Sequence, residues 1–181
     1  MRIDIYFDGA CQNHADRNKS YHMGVGLYCE VDRVPYKGLA IFAGNGCWRS
    51  PQEHGTSNIA EWVGMCLAAQ WSNRLLKEFP QRVVTIFSDS QLVTNQFNGN
   101  WMVKKRHLAP FLREAKKNLN AAVTNPVIWI KRDKNRVADD YSKKGLTFSD
   151  EMLVLKKDIH GVLYVDAPVL RNEQWEKAEE L

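Results

Sequence analysis

A compact apolar run at residues 83–87 lies between two segments in which apolar residues recur at helical spacing. Such a run is typical of a strand that is buried on both faces. Three strand-like segments with short connections precede it, at residues 3–7, 25–31 and 36–43, and a last one follows at 127–130. Strands that alternate with helices after an antiparallel meander predict an α/β fold, in which a mixed sheet is covered by helices.

Four helices are predicted from apolar periodicity and from the residues that end them, at residues 59–79, 92–97, 108–119 and 137–144. Together with the strands they give the element order β-β-β-α-β-α-α-β-α. The tail that follows is predicted to hold a strand within residues 161–165 and an acidic helix at 172–181. A short helix is also predicted there, on the apolar residues Phe148, Met152, Leu153 and Leu155.

The composition restricts the class of protein. With 181 residues, of which 44% are hydrophobic and 25% charged, the chain is long enough for one buried core and is not wholly disordered. No apolar run approaches the roughly 18 residues that a membrane-spanning helix needs, so no membrane partner is expected. The charged N-terminus has no apolar signal core, which predicts a cytoplasmic protein. Four cysteines without a C-x-x-C pair argue against a zinc site and a disulfide framework.

The charge is unevenly distributed along the chain. Residues 1–103 carry 9 Lys and Arg against 9 Asp and Glu, residues 104–157 carry 14 against 6, and residues 158–181 carry 2 against 6. A basic central block favours a polyanionic partner. A solvated, lysine-rich surface accounts for the same block equally well, so the charge alone does not decide between them.

Four acidic residues fall at the ends of predicted elements. Asp8 ends the first strand and Asp89 ends the fourth, while Glu61 and Asp139 lie in the first turns of two helices. Each position alone has an ordinary explanation, because acids favour turns, helix caps and helix N-termini. If the four elements pack together, the carboxylates converge, and their mutual repulsion then requires a cation. Hard oxygen ligands select Mg²⁺ or Mn²⁺ over zinc.

The motifs around these acids resemble those of type 1 ribonuclease H. They are YFDGA at residues 6–10, TSNIAE at 56–61, FSDSQLV at 87–93 and NRVAD at 135–139. The resemblance covers roughly residues 1–145 and implies an RNase H-like fold, whose five-stranded mixed sheet has three antiparallel and then two parallel strands, flanked by helices. Residues 1–145 would be the catalytic domain, and residues 146–181 a C-terminal extension of unknown role.

The resemblance also implies an activity. Such an enzyme is an endoribonuclease that hydrolyses the RNA strand of RNA–DNA hybrids and leaves 5′-phosphate and 3′-hydroxyl ends. Asp8, Glu61, Asp89 and Asp139 would hold two Mg²⁺ or Mn²⁺ ions, one activating the attacking water and the other stabilising the leaving 3′ oxygen. Asp139 is preferred over Asp140 because it occupies the acid position of the fourth motif.

The same resemblance suggests which residues contact the hybrid. Side chains near the metals would recognise the 2′-hydroxyl of RNA or the minor groove. They are Cys11, Gln12, Asn13, Ser57, Asn58 and Gln91. Thr56 would hold a phosphate of the DNA strand, and Trp101 would pack on a deoxyribose. Lys104, Lys105 and Arg132 would attract phosphates, so little sequence specificity is expected.

The chain departs from many family members in two respects. The segment IKRDKN at residues 130–135 lacks the histidine that many members carry before the fourth motif, which resembles the archaeal and plant-like branch, and no long basic helix is evident. His14, His107 and His160 are interpreted as ordinary surface histidines. Two alternatives stay open: a DNA nuclease or resolvase with the same fold, and a hybrid-binding module without catalysis.

Overall fold

The computed structural model of the chain describes residues 1–12, 21–46, 57–119, 127–147, 155–157, 163–165 and 170–180. These residues include five strands that form one mixed sheet: β1 (Arg2–Gln12), β2 (Tyr21–Val31), β3 (Val34–Gly46), β4 (Val83–Ser88) and β5 (Ile128–Trp129). The strand order is β3-β2-β1-β4-β5. β1, β2 and β3 pair antiparallel, β4 is parallel to β1, and β5 is parallel to β4. The predicted fold, with three antiparallel and then two parallel strands, is confirmed.

Five α-helices occur in the described part of the chain: α1 (Ser57–Glu78), α2 (Gln91–Phe97), α3 (Ala109–Asn118), α4 (Arg136–Gly145) and α5 (Asn172–Glu180). A turn of 3-10 helix, Arg106–Leu108, leads into α3. Each predicted helix of the main body is present, and the ends differ from the predicted ones by no more than two residues. None of the helices in the described residues combines the length and the apolar character that crossing a membrane requires.

The main hydrophobic core lies between α1 and one face of the sheet. Alternate residues of β1, namely Ile3, Ile5 and Phe7, are fully buried on this face, as the two-residue period of a strand requires. Trp62 and Trp71 of α1 are buried in the same cluster and are core residues. Removing an aromatic side chain of this size from water contributes on the order of 5 kcal/mol of transfer free energy.

The opposite face of the sheet carries α4, which packs on β2 and β3. A Cβ atom on Gly26 would lie 2.0 Å from the backbone oxygen of Ala138, and one on Gly24 would lie 2.2 Å from that of Ser142. No side chain fits in this space, so the backbone of α4 rests directly on β2. Gly26 is also the cross-strand partner of Asp8, so this contact holds α4 beside the C-terminal half of β1.

The C-terminal part of the chain corrects one prediction and adds a contact with the main body. Leu155, predicted to lie in a short helix, begins the strand β6 (Leu155–Lys157), because it pairs antiparallel with β7 (Leu163–Val165). Phe148, Met152 and Leu153 of the same prediction lie outside the described residues. The predicted strand within 161–165 and the acidic helix are present as β7 and α5.

The helix α5 is attached to α1 by both polar and apolar contacts. Gln70 donates to the carbonyl of Leu170 at 2.7 Å and accepts from its amide at 2.8 Å. Trp175 is buried in the core cluster, and the guanidinium of Arg74 lies over its ring, 5.6 Å from the centroid. The division into a domain of residues 1–145 and an extension stays a prediction, but α5 shares its hydrophobic core with the main body.

We expect Trp175→Ala to lower the free energy of unfolding by about 3–5 kcal/mol, because the substitution leaves a large cavity in the shared core. Glu176→Ala, at the exposed neighbouring position of the same helix, is the control and should change it by less than about 0.5 kcal/mol. Urea unfolding monitored by circular dichroism measures both. A change as small for Trp175→Ala as for the control would show that α5 adds nothing to the stability of the core.

Candidate active site

Asp8 lies within β1, on the face of the sheet that α4 covers. The prediction that it ends the strand is wrong, because β1 continues to Gln12 in antiparallel pairing with β2. Its side chain is almost completely buried, and the hydroxyl of Ser142 in α4 donates to it at 2.6 Å. Burial raises the pKa of the Asp8 carboxyl, the Ser142 hydrogen bond opposes this rise, and the negative charges of Asp89 and Asp139 add to it. The site therefore places a carboxylate where ionisation is costly.

Glu61 is brought to the same place by the contact between α1 and β1. A Cβ atom on Gly9 would lie 2.2 Å from the carbonyl carbon of Ala60 and from the amide nitrogen of Glu61. Only glycine allows the two backbones to touch there. Because α1 begins at Ser57, Glu61 lies in the second turn of the helix, and the prediction of the first turn is wrong by one turn.

The carboxyl of Glu61 has a strongly altered acidity. Burial raises its pKa from an ordinary value of 4.5 to about 7, and the charges of Asp8 and Asp89 act in the same direction. The hydroxyl of Ser90 donates a hydrogen bond to Glu61, which opposes the rise. Ser90 precedes α2 and also accepts from the amide of Val93, so it caps that helix and holds Glu61 at once.

Asp89 follows β4 directly and is held by Asn135. The side-chain amide of Asn135 donates to the Asp89 carboxylate at 2.7 Å and to the backbone oxygen of Phe7 at 3.0 Å. Asn135 is itself buried. One side chain thus ties together the middle of β1, the residue after β4 and the start of α4, which gives a physical reason for the asparagine that opens the fourth motif.

Asp139 lies in the first turn of α4, as predicted, and is paired with two cations. Arg132 donates to one carboxylate oxygen at 3.0 Å, and Lys143, one helical turn further on, donates to the other. Burial raises the pKa of Asp139, but the hydrogen bonds from Lys143 and Arg132 outweigh this effect and keep the pKa below its usual value. Asp140, by contrast, is exposed.

The electrostatic coupling identifies the four acids as members of one cluster. The pKa of Asp8 responds to the charges of Asp89 and Asp139, and that of Glu61 responds to those of Asp8 and Asp89. Their oxygen-only donor set fits a hard divalent cation. As the side chains stand, each carboxylate is hydrogen-bonded within the protein, and no three acidic, His or Cys side chains among the described residues are arranged to hold a metal.

Most of the residues predicted to contact a hybrid lie close in the chain to these acids. Cys11 and Gln12 end β1, and Ser57 and Asn58 begin α1, the two elements that touch at Gly9. Burial raises the pKa of the Cys11 thiol to about 11, so the thiol is neutral at physiological pH. Gln91 begins α2 and is exposed. Asn13 and Thr56 lie outside the described residues.

The predicted basic contacts are more widely spread. Trp101, Lys104 and Lys105 are exposed and lie beyond the C-terminal end of α2, a helix about 10 Å long whose N-terminus follows Asp89. Arg132, predicted to attract phosphates, is exposed and pairs with Asp139. His107 is half-buried, and burial lowers its pKa. His14 and His160 lie outside the described residues.

Sequence reasoning missed the residues that position the acids. Ser142 and Lys143 follow Asp139 by three and four residues, a spacing that places them on the same helix face, so helical periodicity alone could have suggested both. Trp129 donates from its indole nitrogen to the backbone oxygen of Asp89 at 3.0 Å. No local pattern signals this contact, since it joins β5 to the residue after β4, 40 residues away in the chain.

The raised pKa of Glu61 predicts how stability depends on pH in the absence of metal. Between pH of about 4.5 and 7 the unfolded chain loses a proton from this group while the folded chain retains it, so the free energy of unfolding should fall as the pH rises. Glu61→Gln should reduce this fall, whereas Glu173→Gln, at an exposed position of α5, should not. Urea unfolding in EDTA across this range is the measurement, and equal pH slopes in wild type and Glu61→Gln would contradict the expectation.

Comparisons with known proteins agree with this architecture. A family model described as reverse transcriptase-like matches residues 45–145. A solved structure of LC11-RNase H1, a protein isolated from compost by a metagenomic approach, in complex with an RNA/DNA hybrid is 20% identical with a TM-score of 0.65, and the match covers 80% of this chain and 96% of that one. RNase H1 from the archaeon Halobacterium salinarum NRC-1 is 22% identical with a TM-score of 0.57, over 81% of this chain and 98% of that one.

A longer protein contains a similar unit. A foamy viral protease-reverse transcriptase in complex with an RNA/DNA hybrid is 18% identical with a TM-score of 0.57, and the match covers 80% of this chain but 20% of that one. At these identities the structural likeness establishes the fold, and the match of the family model over more than half of the chain establishes the family. The chain belongs to the reverse transcriptase-like family and is an RNase H-like protein.

Proposed function

We propose that the chain is a metal-dependent endoribonuclease that hydrolyses the RNA strand of RNA–DNA hybrids. The observation that carries this proposal is the electrostatic coupling of acids from four separate elements within an RNase H-like fold. Buried carboxylates that repel one another destabilise a protein unless they serve a ligand. Two of the solved structures described above contain an RNA/DNA hybrid, which supports a hybrid as the substrate class.

Asp8, Glu61, Asp89 and Asp139 are the residues that would hold two Mg²⁺ or Mn²⁺ ions. The chemistry that divalent cations supply in such a site is activation of a water for attack on a phosphodiester and stabilisation of the charge on the leaving 3′ oxygen. A cation would also remove the electrostatic reason for the raised pKa of Asp8 and Glu61. The residue types fit this role, since all four side chains offer carboxylate oxygens.

The neighbouring residues would prepare the site for this chemistry. Ser142 and Asn135 fix the orientation of Asp8 and Asp89 through hydrogen bonds of 2.6 and 2.7 Å. Arg132 and Lys143 neutralise Asp139 and, being largely exposed, are able to move away from it when a cation takes their place. Such preorganisation lowers the cost of ordering the carboxylates when the substrate is bound.

Selectivity for a hybrid would come from small polar groups near the carboxylates. The 2′-hydroxyl of RNA both donates and accepts hydrogen bonds, and amide or hydroxyl side chains can recognise it. Gln12, Ser57, Asn58 and Gln91 have this chemistry and adjoin the elements that carry the acids. The basic residues of the central block would bind phosphates without reading sequence.

The test is a panel of labelled RNA–DNA hybrid, duplex RNA and duplex DNA, incubated with Mg²⁺ or with EDTA. We expect cleavage of the RNA strand of the hybrid only, and only with Mg²⁺. Asp139→Asn should reduce the rate at least about 100-fold while hybrid binding persists, because an oxygen ligand is lost and the basic surface is kept. Asp140→Asn, the neighbouring exposed acid, is the matched control and should stay within about twofold of wild type.

Each other outcome of this panel identifies a different function or site. Cleavage of duplex DNA but not of the hybrid would replace the proposal with a DNA nuclease of the same fold. Binding of the hybrid without cleavage would indicate a binding module. Loss of activity in Asp140→Asn with retention in Asp139→Asn would show that the fourth acid has been assigned to the wrong residue.

A further inference from the structure

Trp129 is a half-exposed aromatic side chain beside the carboxylate cluster, and no motif assigns it a role. Its exposed fraction is 42%, whereas Trp62, Trp71 and Trp175 are at most 1% exposed. A tryptophan that serves only to pack a core is buried as those three are. Trp129 therefore exposes apolar surface to water, which is unfavourable, and a ligand bound on the ring would remove that surface from water.

The indole of Trp129 is held in a fixed place. Its ring nitrogen donates to the backbone oxygen of Asp89 at 3.0 Å. Trp129 is paired with Ser88 in the ladder between β4 and β5, and the amide of Ile130 donates to the backbone oxygen of Ser88 at 2.9 Å. The polar edge of the ring is thus satisfied within the protein, which leaves the apolar face as the part available for a contact.

The surroundings of this ring have the chemistry of a nucleic-acid surface. Trp129 belongs to β5, which contacts α2, the helix whose first residue, Gln91, is exposed. The exposed cations Lys131 and Arg132 follow it closely in the chain. The indole donates to the backbone oxygen of Asp89, and Arg132, three residues after Trp129, pairs with Asp139, so the segment that carries the ring contacts two of the four acids. An aromatic face among cations is a common platform for nucleotides.

We propose that Trp129 is a substrate-positioning residue, whose exposed ring packs against a ribose of the RNA strand next to the phosphate at the carboxylates. Within a duplex the bases are stacked on one another, so the sugar is the apolar surface that a side chain at this edge can reach. The hydrogen bond to Asp89 couples the contact to the site, since a nucleotide seated on the ring is held at a fixed distance from that acid. The inference rests on the proposed function and adds to it one specific contact between the protein and the RNA strand.

The test compares Trp129→Ala and Trp129→Phe with Ile128→Ala. Ile128 is 40% exposed and is the preceding residue of the same strand, so its side chain points to the opposite face of the sheet. Binding of a fluorescein-labelled RNA–DNA hybrid is measured by anisotropy in EDTA, and kcat and KM are measured with Mg²⁺. Circular dichroism confirms that each variant is folded.

We expect Trp129→Ala to weaken hybrid binding in EDTA about 5- to 20-fold, the effect of losing one aromatic contact to a nucleotide. Trp129→Phe keeps a ring but loses the donor, so it should retain affinity within about threefold and lower kcat more than it raises KM. Ile128→Ala should stay within about twofold in every measurement. Hybrid affinity of Trp129→Ala within twofold of wild type, or an equal loss in Ile128→Ala, would overturn the inference.

These outcomes separate the inference from the proposed function. If the wild-type chain cleaves the hybrid and Trp129→Ala binds and cleaves as well as wild type, only the inference fails. If the wild type binds the hybrid without cleaving it and Trp129→Ala weakens that binding, the proposed activity fails and the contact stands. A wild-type chain that binds no hybrid overturns both.

Discussion

Two helix backbones rest directly on the sheet, and the position of the acids depends on these contacts. At Gly9 the backbone of α1 touches β1, and at Gly26 the backbone of α4 touches β2. A Cβ atom at either position would approach backbone atoms to about 2 Å, a distance that only a shift of the helix could relieve. The first contact sets Glu61 beside Asp8, and the second sets Asp139 and Ser142 over the strand pair that carries Asp8.

The electrostatics of the site follow from this packing. Because the backbones fix where the four acids lie, the carboxylates cannot move apart to relieve their repulsion, and burial removes the water that would screen it. The protein responds locally: hydroxyls of Ser90 and Ser142 and the amide of Asn135 donate to three of the acids, and two cations neutralise Asp139. The remaining cost appears as the raised pKa of Asp8 and Glu61. Carboxylates that are held close together in this way lower the stability of the fold, and such arrangements are typical of binding and catalytic sites.

Local sequence patterns predicted most of the strands and helices and drew attention to the four acids. The strands and helices of the main body were predictable because their periodicity and their end signals agree, and Asp89 because it directly follows the buried strand β4. Asp8 was predicted as the end of a strand, although β1 continues beyond it to Gln12. The strand β6 was missed, since a strand of three residues carries too little periodicity to be distinguished from a helical turn. Leu155 is the residue on which that error is visible.

The residues that position the acids, and the attachment of α5, depend on contacts between distant segments of the chain. No local sequence pattern predicts such contacts. Asn135 and Trp129 act through the backbone of β1 and of the residue after β4, so their roles appear only when the strands are in register. The burial of Trp175 against α1 depends in the same way on a helix almost 100 residues away in the chain. The substrate class came from the resemblance of the motifs rather than from any physical property of single residues, and it stays a proposal for that reason.

The central claim is that packing holds four carboxylates close enough together for divalent cations to bind among them. Isothermal titration of the metal-free protein with Mn²⁺ near pH 7 tests it most directly. The account predicts saturable binding that releases protons, because cations compete with the proton on Glu61, and loss of that binding in Asp8→Asn but not in Asp140→Asn. Absence of saturable binding, or binding that Asp8→Asn leaves unchanged, would contradict it.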